Sequence, residues 1–296
     1  MASAPTLLFC AGAVKAGTSW FTDYLRRHPE CHLRSVKELH YFDLLEAGSF
    51  GGRIRKLGRE IAAHEAELVQ AAPQSHGWRQ RQLADKRQLQ AVLSAEGDQT
   101  GEYLEYLTAG AGGKRLVADM TPEYGLLPVA ALRRLGGLLP DVRFVLILRD
   151  PVTRLWSHIR MLVRRMALPE AAFGAACEAK LAEVCAGGAE DVTRRSDYRG
   201  IYQRLAEAVP EARRKVVFYE QMISEAGIRE MTGFLGLTYA PPDLARRVHE
   251  GVAVAISDAQ AARAAAWLTG QYAFVAETFG TPPEWQAGAG GLRGVA

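Results

Sequence analysis

The stretch Gly12-Ala13-Val14-Lys15-Ala16-Gly17-Thr18-Ser19-Trp20 carries the residue types of an anion site. Glycines let the backbone turn tightly and aim successive N–H groups at one ligand, Lys15 adds a full positive charge, and Thr18 and Ser19 add hydroxyl donors. The chemistry implied is capture of a phosphate-like group. A Walker A loop, G-x-x-x-x-G-K-[ST], places its lysine after the last glycine, whereas Lys15 precedes Gly17. A ligand-free glycine turn between a strand and a helix is the bland alternative. Val145 to Asp150 invites comparison with a Walker B strand ending in a magnesium ligand. Asp150 stands one position late for that, behind Arg149, and Asp150-Pro151 reads as the N-cap and first residue of a helix.

These residues need elements to hold them. The apolar run Thr6 to Ala11 breaks into the glycines, and Phe21, Tyr24 and Leu25 follow at helical spacing, so the order is strand, loop, helix, ending near His28-Pro29. Cys31 to Arg34, Arg115 to Asp119, Arg143 to Leu148 and Lys215 to Tyr219 are further strand candidates. Continuous apolar runs separated by helical stretches predict an α/β fold, three-layered, with a central, mainly parallel sheet flanked by helices and ligands at the carboxyl ends of its strands. Helices are expected over Pro151 to Met166, Ser196 to Val209, Ser224 to Leu235 and, as one long element opened by a Ser257/Gln260 capping box, Asp258 to Phe279. The charged segment 48–113 reads as a helical insertion packed on the sheet, with Ile54, Leu57, Ile61 and Leu68 at helical intervals and an interruption at Pro73 to Gly77. One domain over 1–287 and a flexible glycine-rich tail over 288–296 complete the expected organisation.

The 296 residues are 48% hydrophobic and 23% charged, ordinary for a globular protein. A formal charge of +3 does not by itself indicate a nucleic-acid partner. The opening apolar run lacks a basic segment before it and ends in the glycine loop, so it reads as a first strand, not a signal peptide. No apolar stretch has transmembrane length, which leaves no stable membrane insertion and a cytoplasmic setting as the expectation. Four cysteines without CxxC or Cys/His spacing suggest free thiols and no metal site, and the seven histidines form no HExxH.

Lys15-Ala16-Gly17-Thr18-Ser19-Trp20 resembles the 5′-phosphosulfate loop of sulfotransferases that use 3′-phosphoadenosine 5′-phosphosulfate (PAPS), K-x-G-[ST]-[ST]-W. Arg149-Asp150-Pro151 with Arg154 and Ser157 matches the family's 3′-phosphate motif, R-[DN]-P-x-x-R-x-x-S, at every position. Lys37-Glu38-Leu39-His40-Tyr41-Phe42 is similar to its K-E-x-x-[YF]-F stretch, and Asp119 to Tyr124 to its [ED]-K-[TS]-P-x-Y stretch with Met120 in place of the lysine. The resemblance implies a P-loop-like fold and sulfuryl transfer from PAPS to a hydroxyl or amine of a small-molecule, carbohydrate or lipid acceptor, without a metal, leaving 3′-phosphoadenosine 5′-phosphate (PAP).

Carried over residue by residue, Lys15, Ala16, Gly17, Thr18 and Ser19 would hold the 5′ end, Arg149 and Ser157 the 3′-phosphate, and Trp20 would lie against adenine or serve as a core aromatic. Arginine binds phosphate bidentately, which suits Arg149 at a strand end, while Arg154 is better placed to brace the turn. Lys15 would also meet charge growing on the leaving oxygen, with Lys37 as a second source of positive charge. Glu38 is the expected general base, His40 its competitor, and a plain Lys37–Glu38 salt bridge the alternative. Tyr41, Phe42 and Tyr124 are expected either as acceptor-pocket walls or as buried aromatics. An ATP- and magnesium-dependent kinase, or a non-catalytic nucleotide-binding protein, are the rival functions.

Overall fold

The computed structural model describes residues 4–70, 76–246 and 254–288. Of the expected interruption at Pro73 to Gly77, residues 73–75 lie outside them, while His76 and Gly77 already open a helix; the tail beyond 288 also lies outside. The chain runs β1 (Thr6–Cys10), α1 (Thr18–Arg27), β2 (Cys31–His32), α2 (Tyr41–Glu46), α3 (Gly51–Gln70), α4 (His76–Ser94), α5 (Thr100–Thr108), β3 (Leu116–Asp119), α6 (Val129–Gly136) and β4 (Val142–Leu148). There follow α7 (Pro151–Arg164), α8 (Glu170–Cys185), α9 (Glu190–Ser196), α10 (Tyr198–Ala208), β5 (Arg214–Phe218), α11 (Tyr219–Met222), α12 (Glu225–Leu235), α13 (Asp258–Trp267), α14 (Thr269–Phe279) and α15 (Pro283–Gly288).

The five strands form one sheet in the order β2-β3-β1-β4-β5, and every pairing is parallel. Leu7 to Cys10 and Phe144 to Leu148 have no exposed surface, because both faces of the central strands are covered, which is why they read as unbroken apolar runs. β1 lies where the order reverses, with β3 on one side and β4 on the other, the position at which such sheets open a crevice. The segments of interest leave the carboxyl ends of the strands: the glycine loop from β1, 33–40 from β2, 120–123 from β3, Arg149 from β4 and Tyr219 from β5.

The 48–113 segment is helical, as its periodicity predicts, and its Leu57, Leu89, Leu93, Tyr103 and Leu107 are buried in the same cluster as β1. Two details depart from the sequence pattern. The helix expected over 258–279 is two helices, broken at buried Leu268, whose backbone angles are φ −93° and ψ 7°; the Thr269 hydroxyl just beyond it donates to the carbonyls of Ala265 and Ala266. Helices beyond those read from the sequence are α2, α6, α9, α11, α15 and, the longest of them, α8. Its Phe173, Cys177, Leu181 and Val184 nevertheless carry a helical stripe, and they pack with α7 and α13 in a second apolar cluster. All four cysteines are free, and no helix among the described residues is long and apolar enough to cross a membrane.

Candidate active site

The glycine loop is tied to β4. Ala13 N–H donates to the Ile147 carbonyl at 2.7 Å, and Ile147 N–H returns the bond to Gly12 at 2.8 Å. Lys15 and Gly17 both take left-handed backbone angles, φ 69° and 87°, and Gly17 opens α1 without any side-chain cap, so the positive end of the helix faces the loop uncovered. A Cβ on Gly17 would overlap the Tyr219 ring. That ring carries the Arg149 guanidinium 4.6 Å from its centroid, and Arg149 Nη1 donates to the Lys15 carbonyl at 3.5 Å. The two phosphate-type motifs, 134 residues apart, therefore meet. Arg149 Nε is buried without a partner. Burial pulls the Lys15 ammonium below its ordinary value, Lys37, Arg149 and Arg160 reinforce the shift, and Glu38 opposes it. Such crowding of like charge suits a multiply charged anion, so the residues present fit a phosphorylated nucleotide.

Ser157 lies partly exposed on α7, whose N-cap Asp150 accepts from Thr153 N–H at 2.8 Å and from the Tyr272 hydroxyl at 2.7 Å. Arg154 is 1% exposed and donates to the Val14 carbonyl at 3.5 Å and to the Ser196 hydroxyl, bracing the loop from beneath. Ala16 and Thr18 are buried, which restricts Ala16 to backbone contacts with any ligand. Trp20 is buried too and stacks on Tyr24 with centroids 6.3 Å apart.

Opposite the loop stands a second group. Glu38 and His40 both have left-handed φ, 53° and 59°, and with Glu123 they bring one potential ligand atom each within 4.8 Å of one another. Linear spacing concealed this trio, which has donors suited to a divalent cation. Each member already has a partner: Lys37 Nζ is 2.9 Å from Glu38, Asp43 is 2.8 Å from His40 Nδ1, and Arg195 is 3.6 Å from Glu123. That pairing favours proton chemistry. Burial alone would raise the Glu38 carboxyl, but Lys37 and His40 hold it below the usual range. Burial disfavours charge on His40, and Asp43 outweighs it, raising the imidazole. Burial raises Glu123.

The backbone bearing Glu38 is gripped by the insertion. Arg53 on α3 donates to the Glu38 carbonyl at 2.8 Å, and Asp85 on α4 accepts from Ser35 N–H and pairs with Arg34, both at 2.7 Å. From the other side, Arg26 on α1 donates to the carbonyls of Arg34 and Ser35 at 3.1 and 3.0 Å.

Tyr41, Phe42 and Tyr124, candidate acceptor walls, are instead core residues with at most 1% of their surface exposed. Tyr41 stacks on Tyr103 at 4.3 Å, and buried Asp119 accepts from the hydroxyls of Tyr103, Tyr124 and Thr121 at 2.5, 2.6 and 2.6 Å. The Tyr124 hydroxyl in turn accepts from Tyr41 N–H at 3.2 Å, so these aromatics orient the loop from within. Glu123, Tyr219 and Arg53 are site residues that sequence reasoning missed. For Glu123 the available signal was its place just past the end of β3.

A family model described as "Sulfotransferase family" matches residues 5–241. Among solved structures, a sulfotransferase from Alicyclobacillus acidocaldarius superposes with TM-score 0.60 at 19% identity, covering 96% of this chain and 100% of that one. The sulfotransferase domain of the Synechococcus PCC 7002 olefin synthase gives TM-score 0.50 at 18% identity, covering 95% and 96%. At such identities the likeness is one of fold. No curated protein sequence matches this chain.

Proposed function

This chain belongs to the sulfotransferase family, and from that premise we propose that it moves a sulfuryl group from PAPS to a hydroxyl or amine of a small-molecule acceptor, carbohydrate or lipid, with Glu38 as general base. Family membership makes it a transferase enzyme. The observation that carries the donor assignment is the meeting of Lys15 and Arg149, which supplies positive charge for a nucleotide with phosphates at both ends. A cytoplasmic setting belongs to the same proposal.

Bound PAPS supplies an activated sulfuryl group whose bond to the 5′-phosphate oxygen breaks as the acceptor oxygen or nitrogen bonds to sulfur. The chain's part is positioning and charge. Arg149 and Ser157 hold the 3′-phosphate end, and the glycine loop with Thr18 and Ser19 holds the 5′ end. Lys15 neutralises charge on the departing oxygen. Glu38 takes the acceptor proton, and His40, whose imidazole Asp43 pulls toward its charged form against the effect of burial, stands beside the base.

Thermal unfolding with PAP, compared with ATP plus magnesium, tests the donor. A ligand at a hundredfold excess over its Kd adds about 2.7 kcal/mol to native stability. The proposal expects PAP to raise Tm by several degrees and ATP with magnesium to do much less. The reverse ranking would replace the sulfotransferase donor with a kinase donor.

A further inference from the structure

Lys37 is engaged on two sides at once. Its Nζ lies 2.9 Å from Glu38 Oε1 and donates to Ser19 Oγ at 2.5 Å. Ser19 belongs to the first turn of α1, inside the anion loop, whereas Glu38 belongs to the facing group. One ammonium thus bridges the two halves of the site. A hydroxyl that accepts from an ammonium keeps its own proton for a second partner, so Ser19 can donate into the loop while Lys37 polarises it.

The backbone on either side cannot follow a displaced ligand, since Arg26 and Asp85 hold residues 34 and 35 and Arg53 holds the Glu38 carbonyl. What can redistribute is the Lys37 side chain, four methylenes long and half-buried. In the free protein Glu38 is the acid that offsets the positive field on Lys15, and so stands in electrostatically for an anion.

On the donor reading above, we propose that Lys37 is a positioning residue coupling the two halves: an anion in the glycine loop draws its ammonium from Glu38 towards Ser19 and the ligand, releasing the carboxylate to accept the acceptor's proton. The base is idle as a counter-ion until the donor is in place, which makes productive binding donor-first. Coupling of this kind is reciprocal. Neutralising Glu38 must therefore free Lys37 and tighten anion binding through it.

The experiment is a double-mutant cycle read by calorimetric titration of PAP into the full-length protein, with Glu38→Gln, Lys37→Met and the pair, each checked for native circular dichroism. Glu38→Gln is expected to tighten PAP binding about fivefold or more with Lys37 present, and by less than twofold in the Lys37→Met background. Lys37→Arg, which keeps the charge, should restore most of the coupling. Equal tightening in both backgrounds would mean that the carboxylate merely repels the anion, and would overturn the inference while leaving the donor assignment standing. No affinity change on Glu38→Gln would overturn it likewise. Absence of PAP binding to the unmodified protein would overturn the donor assignment and this inference with it. Should Lys37→Met fail to fold, Ser19→Ala removes the other anchor without changing charge, and unchanged coupling in that variant would refute the bridge.

Discussion

Gly17→Ala places one methyl group against both ends of the anion site. Gly17 has φ 87° and ψ 10°, so an alanine there sits in the left-handed region at a cost of about 1–2 kcal/mol. Its Cβ would also overlap the Tyr219 ring, and forcing a side chain aside in a packed setting costs about 1–3 kcal/mol. Together these remove about 2–5 kcal/mol. At about 2–3 °C per kcal/mol for a chain of this size, Tm falls by about 4–15 °C. Tyr219 can yield only by leaving its place under the Arg149 guanidinium, so PAP affinity should drop at least about tenfold, equivalent to about 1.4 kcal/mol. Adding Tyr219→Ala should recover the steric part of the Tm loss but not the backbone part. Thermal melts with and without PAP read both quantities. A Gly17→Ala protein whose Tm stays within about 1 °C and whose PAP affinity is unchanged would refute the argument, since neither the backbone strain nor the ring contact would then be real.

Glu38→Gln should lower turnover by about 10²–10⁴ while native structure persists, and full activity would move the base to His40. Arg53→Ala should reduce kcat by roughly 10–100-fold, as a misplaced base does, with PAP affinity unchanged; equal losses in kcat and PAP binding would show a general disturbance instead. The His40–Asp43 pair gives a pH signature. Burial opposes the imidazolium and Asp43 prevails, so the folded pKa lies above the ordinary value near 6.5. The pair's stability is complete below about pH 6.5 and is lost as pH rises through the raised folded value. The Tm gap between the wild-type protein and Asp43→Asn should therefore be wider at pH 6 than at pH 9, and a gap that widens with pH would contradict the assignment.

Much of this architecture was legible because it is encoded locally. Unbroken apolar runs such as Phe144 to Leu148 marked strands covered on both faces, and Asp150-Pro151 marked a helix start by capping chemistry alone. The Lys15 loop and Arg149 carried their chemistry in short motifs. What escaped was set by long-range packing. The place of Glu123 just past the end of β3 puts it at the right edge of the sheet, but its approach to Glu38 and His40 is set by β2 and β3 lying side by side, which the local sequence does not show. For Tyr41, Phe42 and Tyr124 the sequence left pocket wall and buried aromatic both open, and packing against Tyr103, with Tyr124 bonded to Asp119, makes them core. Tyr219 gains significance from the close approach of Gly17, which no periodicity reports.

The grip of α3 and α4 on residues 34–38 has a consequence for how the protein ages. The glycine loop is rooted in β1, β4 and α7, at the centre of the sheet, while the strand end bearing Glu38 is strapped to helices of the insertion through Arg53 and Asp85. Peripheral units open more readily than central strands. On the proposed donor reading, mild heat or prolonged storage is expected to yield molecules that still capture nucleotide on an affinity resin yet turn nothing over. Nucleotide retention would be a poor measure of the active fraction in any preparation, and hydrogen exchange across 51–108 a better one.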